Sequence, residues 1–204
     1  MDKILELAWA HTLLAVPPLI ITAVLALPLG WAASHYPRVR EVLVTVTSLL
    51  YVIPSLALFI ILPKVLGTSL LSPVNVIIAM TLFGLALQVR SAADAFSTVS
   101  GPIRAAATAV GYSAWQRFWK VELPLAGPGL IAGLRVVSAS TISLISVGAL
   151  IGVPSLGTLF TEGFLRNYPE QVAYGLIGCV VLALIFDLLL VLLGWVSMPW
   201  QRRV

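Results

Sequence analysis

The chain has 204 residues, 60% of them hydrophobic and only 10% charged, and its mean hydropathy is +1.05. A soluble domain is about one-quarter charged, so this composition excludes a water-soluble globule: apolar side chains in such excess must face lipid. The net charge of +4 and pI near 9.6 come with no basic patch interleaved with aromatics on a soluble domain, which excludes a nucleic-acid-binding reading.

A helix crosses the hydrocarbon layer with about 20 apolar residues. Runs free of Asp, Glu, Lys and Arg cover 12–34, 42–63, 65–89, 136–160 and 171–186, and apolar residues continue past Asp187 to Trp195. They predict an all-α membrane protein with about five transmembrane helices, at about 12–34, 42–62, 74–92, 128–150 and 174–196, forming a single domain over 1–204. Barrel strands would instead alternate polar and apolar residues over about ten positions.

The first run is read as a retained span. Asp2 and Glu6 stand where a signal peptide is basic, and the run exceeds the usual apolar length of about 7–15 residues. Pro17, Pro18 and Pro28 shape this span, and His11 is placed at the membrane interface. In the second span, Pro54 and Ser55 predict a kink with freed backbone groups, a candidate gate element. Near the inner end of the third span, Arg90 and Asp94 are spaced to pair on one helix face.

The loop at 93–127 is long for a helix–helix connection, where about 2–8 residues suffice. Pro102 suits a first helical turn capped by Ser100 or Gly101, an alanine-rich run from Ile103 to Val110 follows, and Gly111 is placed to end it. Trp115, Phe118, Trp119 and Val121 with Gln116, Arg117 and Lys120 then read as an interfacial helix, and Leu123-Pro124 as a turn into the fourth span. The two short helices read as a docking surface for a soluble partner or as a plain amphipathic connector.

The fourth span is rich in small and hydroxylated residues, Ser138, Ser140, Thr141, Ser143 and Ser146 among them, behind Gly129-xxx-Gly133. Small residues let helices approach closely; tight packing and a polar path both fit, with Ser138 and Thr141 as path candidates. The segment from Gly152 to Gln171 reads as a short surface helix or a connector. Asp187 lies well inside the fifth span, where an ionisable residue is a functional candidate by default, and Arg135 is read as snorkelling to the inner interface.

Positive charge sets the orientation. Arg38, Arg40, Arg104, Arg117, Lys120, Arg202 and Arg203 fall in the segments 35–41, 93–127 and 197–204, against Lys3, Lys64 and Arg166 in the others. The N-terminus is therefore expected outside and the C-terminus in the cytoplasm. The lone Cys179 reads as a small core residue, His11 and His35 have no metal-ligand spacing, and there is no GxxxxGK[ST] phosphate loop.

Ala105-Ala106-Ala107-xxx-Gly111-x9-Val121-x-Leu123-Pro124 resembles the cytoplasmic loop motif of ABC importer permeases, E-A-A-x3-G-x9-I-x-L-P. Ala105 stands where the family has Glu, and Val121 where it has Ile. Tyr51 to Leu58, Val121 to Ala126, Ile131 to Arg135 and Gly148 to Gly152 with Leu156-Gly157 are similar to the glycine betaine, carnitine and choline (osmoprotectant) branch, while Val153-Pro154-Ser155 departs from it.

The resemblance implies a type I importer permease in a bacterial inner membrane, taking up a quaternary-ammonium osmoprotectant. Residues 103–113 would form a coupling helix, with Arg104, Ala105, Ala106, Ala107, Gly111, Leu123 and Pro124 as its ATPase-coupling positions. It implies no cofactor in this chain, since ATP and Mg bind cytoplasmic ABC ATPase subunits. It also implies a second permease copy or paralogue and an extracytoplasmic substrate-binding protein. An amino-acid permease, a helical-bundle channel and an intramembrane enzyme remain the alternatives. The channel would need no docking loop, and the enzyme would need facing catalytic groups that Asp187 and the serines hardly supply.

Overall fold

The computed structural model describes residues 2–200, and among these every regular element is helical. Arg202 and Arg203, used above for orientation, lie outside the described residues.

Helix α1 (Asp2–His35) runs 34 residues with Pro17, Pro18 and Pro28 inside it. At about 1.5 Å per residue it is about 51 Å long, more than the roughly 30 Å hydrocarbon layer, so its ends project into the polar zones. His11 does not present its ring to the membrane–water interface. It is fully buried, where its Nδ1 accepts the Leu156 N–H at 3.3 Å and its Nε2 lies 3.1 Å from the Ile142 carbonyl. With Nδ1 accepting, Nε2 carries the hydrogen and donates, and one imidazole ties three parts of the chain together.

The second apolar run is two helices, not the single span 42–62. Helix α2 (Pro37–Val52) and helix α3 (Ser55–Leu66) meet at a bend of 101°. Ile53 precedes a proline, which disfavours the helical region, and it adopts φ −66°, ψ 124°. The kink expected at Pro54 is thus a full break.

Helix α4 (Pro73–Ser97) is the centre of the bundle, packed on α1, α2, α3 and the long helix α7 described next. Helix α5 (Gly101–Ala109) follows, and then one continuous helical rod covers 114–151: α6 (Ala114–Arg117), a π-helical stretch (Phe118–Glu122), α7 (Leu123–Val147) and a 3₁₀ turn (Gly148–Ile151). The turn expected at Leu123-Pro124 does not form. Proline lacks an N–H and its ring crowds the carbonyl four residues back. The helix accommodates Pro124 by widening, with the Leu123 N–H bonding the Phe118 carbonyl five residues back.

Helix α8 (Gly157–Leu165) is the short surface helix allowed for between 152 and 171, and α9 (Pro169–Ser197) closes the chain. Among the described residues four helices are long and apolar enough to span a bilayer, and the α2–α3 pair makes a fifth span if its two bent halves cross together.

The main core joins Phe59, Met80, Phe83, Ile142, Ile145 and Leu156, and a second forms around Phe96, Ala126 and Leu130 with Trp31 and Phe118 against it. Glycines set the helix spacing. A Cβ on Gly129 would stand 2.7 Å from the Ala95 Cβ, and one on Gly133 2.6 Å from the Ser91 Cβ. The Gly129-xxx-Gly133 pair thus seats α7 directly on α4. In contrast, α9 buries only 11% of its apolar window inside the chain, against 56% for α4, leaving its outer face for lipid or another subunit.

Candidate functional site

The segment between α4 and α7 has a defined local structure. Ser100 is extended, Pro102 occupies the first turn of α5, and the helix stops at Gly111, whose φ of +95° suits glycine alone. The Gly111 N–H bonds the Thr108 carbonyl at 3.0 Å and the Tyr112 N–H bonds that of Ala107 at 3.1 Å, a Schellman end. The next helix starts at once. The Gln116 N–H donates to Ser113 Oγ at 3.3 Å, and the Ser113 N–H donates to Gln116 Oε1 at 3.0 Å, a full capping box. Helix α5 therefore ends at Ala109, short of the expected 113.

Helix α5 leaves Ile103, Ala105, Ala106, Thr108, Ala109 and Val110 exposed. The helix is fastened to the rest of the chain at two points. Arg104 Nη2 donates to the Phe96 carbonyl at 2.8 Å, and Arg117 Nη1 donates to Thr108 Oγ1 at 3.1 Å.

Behind α5 sits Glu122, fully buried. Its carboxylate accepts from Trp31 Nε1 at 2.9 Å and from Arg117 Nε at 2.8 Å. His35 Nε2 stands 3.3 Å away and Arg104 Nε 4.0 Å away, close enough for ionic attraction but not aligned for hydrogen bonds. A buried carboxylate needs such company, because an unpaired one is costly. The cluster joins the end of α1, helix α5, α6 and the π-helical stretch through one side chain. Sequence reasoning missed it: Glu122 was only a filler position in the loop motif, and its one signal was a carboxylate inside an otherwise apolar stretch, V-E-L-P.

Leu123 and Pro124 do not form a turn; they lie half-buried in the rod, beside the widening that accommodates Pro124 and directly after the buried Glu122. Of the positions singled out, Arg104 and Ala105–Ala107 share α5, Gly111 ends it, and Leu123 and Pro124 hold its support.

The other candidates are dispersed. Pro54 and Ser55 mark the α2–α3 break. Ser138 and Thr141 are buried against the chain's own core, at 1% and 2% exposure, whereas Arg135 on the same helix is exposed. Arg135 does not snorkel away; its Nε and Nη2 form a fork to Asp187 Oδ1 and Oδ2 at 2.6 and 2.9 Å. Nor does Asp94 pair with Arg90. It pairs with Arg40, which joins α2 to α4. At the opposite end of the bundle from Glu122, Lys3 bonds both carboxylate oxygens of Glu162 in α8, at 2.8 and 2.7 Å, and Gln171 adds a third bond at 2.8 Å. These donors, Lys3 foremost, hold the Glu162 carboxyl below the usual carboxylate range. Among the described residues no group of three or more His, Cys, Asp or Glu could hold a metal ion.

Comparison with known proteins bears on this geometry. Residues 23–200 match the family model described as "Binding-protein-dependent transport system inner membrane component". The carnitine transport permease protein OpuCD of Listeria monocytogenes is 27% identical over 95% of this chain and 85% of its own length. The glycine betaine/carnitine/choline transport system permease protein OpuCD of Bacillus subtilis is 27% identical over 95% of this chain and 82% of its own length. The choline transport system permease protein OpuBD of Bacillus subtilis matches at 27% over 95% and 84%. Among solved structures, an inward-facing MetNI methionine ABC transporter superposes with a TM-score of 0.77 at 19% identity, over 98% of this chain and 96% of that one.

Proposed function

The chain belongs to the family of binding-protein-dependent transport system inner membrane components, and on that footing we propose that it is the permease subunit of an ATP-driven importer for a quaternary-ammonium osmoprotectant. It is a multi-pass inner-membrane protein with the helical fold of an importer permease, and its family role is transport rather than catalysis. Glycine betaine, carnitine and choline are the solute class, in line with the names of the relatives that span nearly the whole chain. The chain acts as one permease domain over 1–204. Its N-terminus is outside and its C-terminus cytoplasmic, an orientation supported by Arg38, Arg40, Arg104, Arg117 and Lys120 clustering at one end of the bundle.

The observation that carries the reading is α5. A nine-residue helix stands clear of the spans, shows Ile103, Ala106 and Val110 outward, and is fastened through its own Arg104 to the Phe96 carbonyl and through Thr108 to Arg117, which holds Glu122. Such a helix can receive a push from a soluble partner and pass it on as a rigid unit. ATP and Mg bind that partner, a cytoplasmic ATPase, and ATP is hydrolysed there. Two permeases associate, a periplasmic or lipid-anchored binding protein delivers the solute, and closure of the ATPase pair moves α5 and with it α1 and α7. The break at Pro54 and Ser55 serves as a gate element, and Asp187 belongs to the path. The burial of Ser138 and Thr141 supports a packing role for both.

A pull-down in detergent tests the reading, with tagged wild type, Gly111→Trp and Ala106→Arg each incubated with the cognate ATPase. Wild type retains the ATPase, and both variants lose it while staying monodisperse. If wild type captures none, or the variants capture it equally well, α5 is a mere connector and a channel-like bundle is the better account.

A further inference from the structure

The ion pair between Arg135 and Asp187 is in a place that the fold alone does not justify. Arg135 is about 18 Å along α7 from Leu123, and Asp187 about 15 Å from the end of α9 at Ser197. Measured from the inner ends of the expected spans, 128 and 196, Arg135 and Asp187 lie about 10 and 13 Å inside a hydrocarbon layer about 30 Å thick. Yet the two side chains are 44% and 39% exposed on the surface of this chain. A charged pair so exposed cannot face acyl chains without severe loss; inside a membrane it faces protein or a water-filled path.

The surroundings decide what that path holds. Helices α7 and α9 run antiparallel, and the seam continues one turn at a time from the ion pair, first to Ala139 and Ala183, then to Ser143 and Cys179. Here, one turn beyond the ion pair, the helices flank an open groove of about 290 Å³, in which these small residues and Ser146 alternate with Ile142, Leu176 and Val180 and Phe160 bounds one side. A guanidinium has five N–H donors, of which the fork to Asp187 uses two. Three remain for a second carboxylate. Asp187 likewise keeps lone pairs beyond the two bonds from Arg135.

We propose that this seam is the solute's resting place on the path, with Arg135 taking the carboxylate of a zwitterion and Asp187 its quaternary ammonium, and with the small-residue groove admitting the methylated head. The proposal rests on the osmoprotectant reading above and sharpens it. Glycine betaine and carnitine carry both charges, choline only the cation. The paired charges lie side by side, opposite in sense to those of a zwitterion laid across them. Since each charge is already half-satisfied by the other, binding is weak and release fast, as a path requires.

The test uses the complete transporter in bacterial cells lacking other uptake systems, with labelled glycine betaine and labelled choline as probes. Arg135→Gln lowers the ratio of glycine betaine to choline uptake about tenfold or more, the effect of one lost charged hydrogen-bond partner, while Asp187→Asn depresses both. The neutral double variant R135Q/D187N, which leaves no unpaired charge to unfold the bundle, shows the same fall in ratio. As a second measurement, S143C in a Cys179→Ser background is labelled by a charged thiol reagent in broken membranes, and glycine betaine slows the labelling.

An unchanged ratio in variants present at wild-type abundance overturns the proposal and leaves the osmoprotectant reading standing, as does an S143C thiol that the charged reagent cannot reach. Wild-type transport of neither solute defeats the osmoprotectant reading itself, and this proposal with it.

Discussion

Trp31, near the end of the first span, donates its indole N–H to the carboxylate of Glu122, 2.9 Å away and 91 residues later in the chain. The bond crosses from a transmembrane helix to the base of the loop that carries α5. Arg117 binds the other carboxylate oxygen at 2.8 Å, so the two oxygens tie α1 to the loop from opposite sides.

Removing that carboxylate leaves Arg117 and Trp31 without their acceptor in a buried place. Glu122→Ala is expected to destabilise the protein by about 3–5 kcal/mol, the range for breaking a buried ion pair from one side. Glu122→Gln keeps the volume and an acceptor for Trp31, and costs less. If α5 docks the ATPase as proposed, the informative effect is on transport: ATP hydrolysis persists while uptake per ATP falls, because α5 keeps its docking surface but is no longer rigidly joined to α1. Thermal unfolding in detergent and uptake-to-hydrolysis ratios in proteoliposomes measure the two effects. A Glu122→Gln protein with wild-type stability and wild-type coupling would show that the cluster transmits nothing.

The spans were legible because a run of some twenty apolar residues is a property of composition, read without knowing any contact. Gly111 and Pro54 were legible for a similar reason, since both act on the backbone beside them. What escaped depends on contacts between distant residues. Arg135 and Asp187 are 52 positions apart; an arginine partner for Asp187 is a reading the sequence allows, but nothing local in it picks out Arg135, which reads as snorkelling to the inner interface. His11 looked interfacial because nothing nearby in sequence reveals that Ile142 and Leu156 surround it. At Pro124 the local rule was sound, but tertiary packing chose a π-widened continuous helix over a turn.

The seating of α7 on α4 gives a steric prediction. A Cβ at position 133 would meet Ser91 Cβ at 2.6 Å and Gln88 Oε1 at 2.7 Å. Gly133→Ala is expected to cost about 1–3 kcal/mol through overpacking. Ser91→Gly removes the nearer obstacle, so G133A/S91G should recover much of the loss, leaving the contact with the Gln88 amide. Melting temperatures of the two singles and the double form a mutant cycle, and strict additivity would rule out direct contact at this crossing.

His11 makes a polar prediction in the main core. His11→Leu strands the Leu156 N–H and takes a donor from the Ile142 carbonyl, at an expected cost of about 1–3 kcal/mol. His11→Gln offers both an acceptor and a donor, so it should retain more stability than leucine despite being the more polar side chain. Thermal unfolding of the two variants decides the point; if leucine is the better replacement, burial and shape matter here and the two hydrogen bonds do not.

The Lys3–Glu162 contact predicts a pH dependence. Lys3 and then Gln171 lower the Glu162 carboxyl below its ordinary value of 4.5. A group whose folded value is depressed adds stability that is fully present above its unfolded value and is lost as pH falls through the folded one. Glu162→Gln should therefore melt below wild type at pH 7, by a small margin because Lys3 is exposed and solvent screens the pair. The gap should hold down to about pH 5 and close as pH drops past the lowered value. Raising the salt concentration at pH 7 should also narrow it, since ions screen an exposed pair. Lys3→Met should remove most of the gap at neutral pH, leaving the part due to Gln171. A gap that stays constant from pH 7 through the acid range would mean that the variant acts through packing of α8 against α9, and that the carboxylate charge contributes nothing.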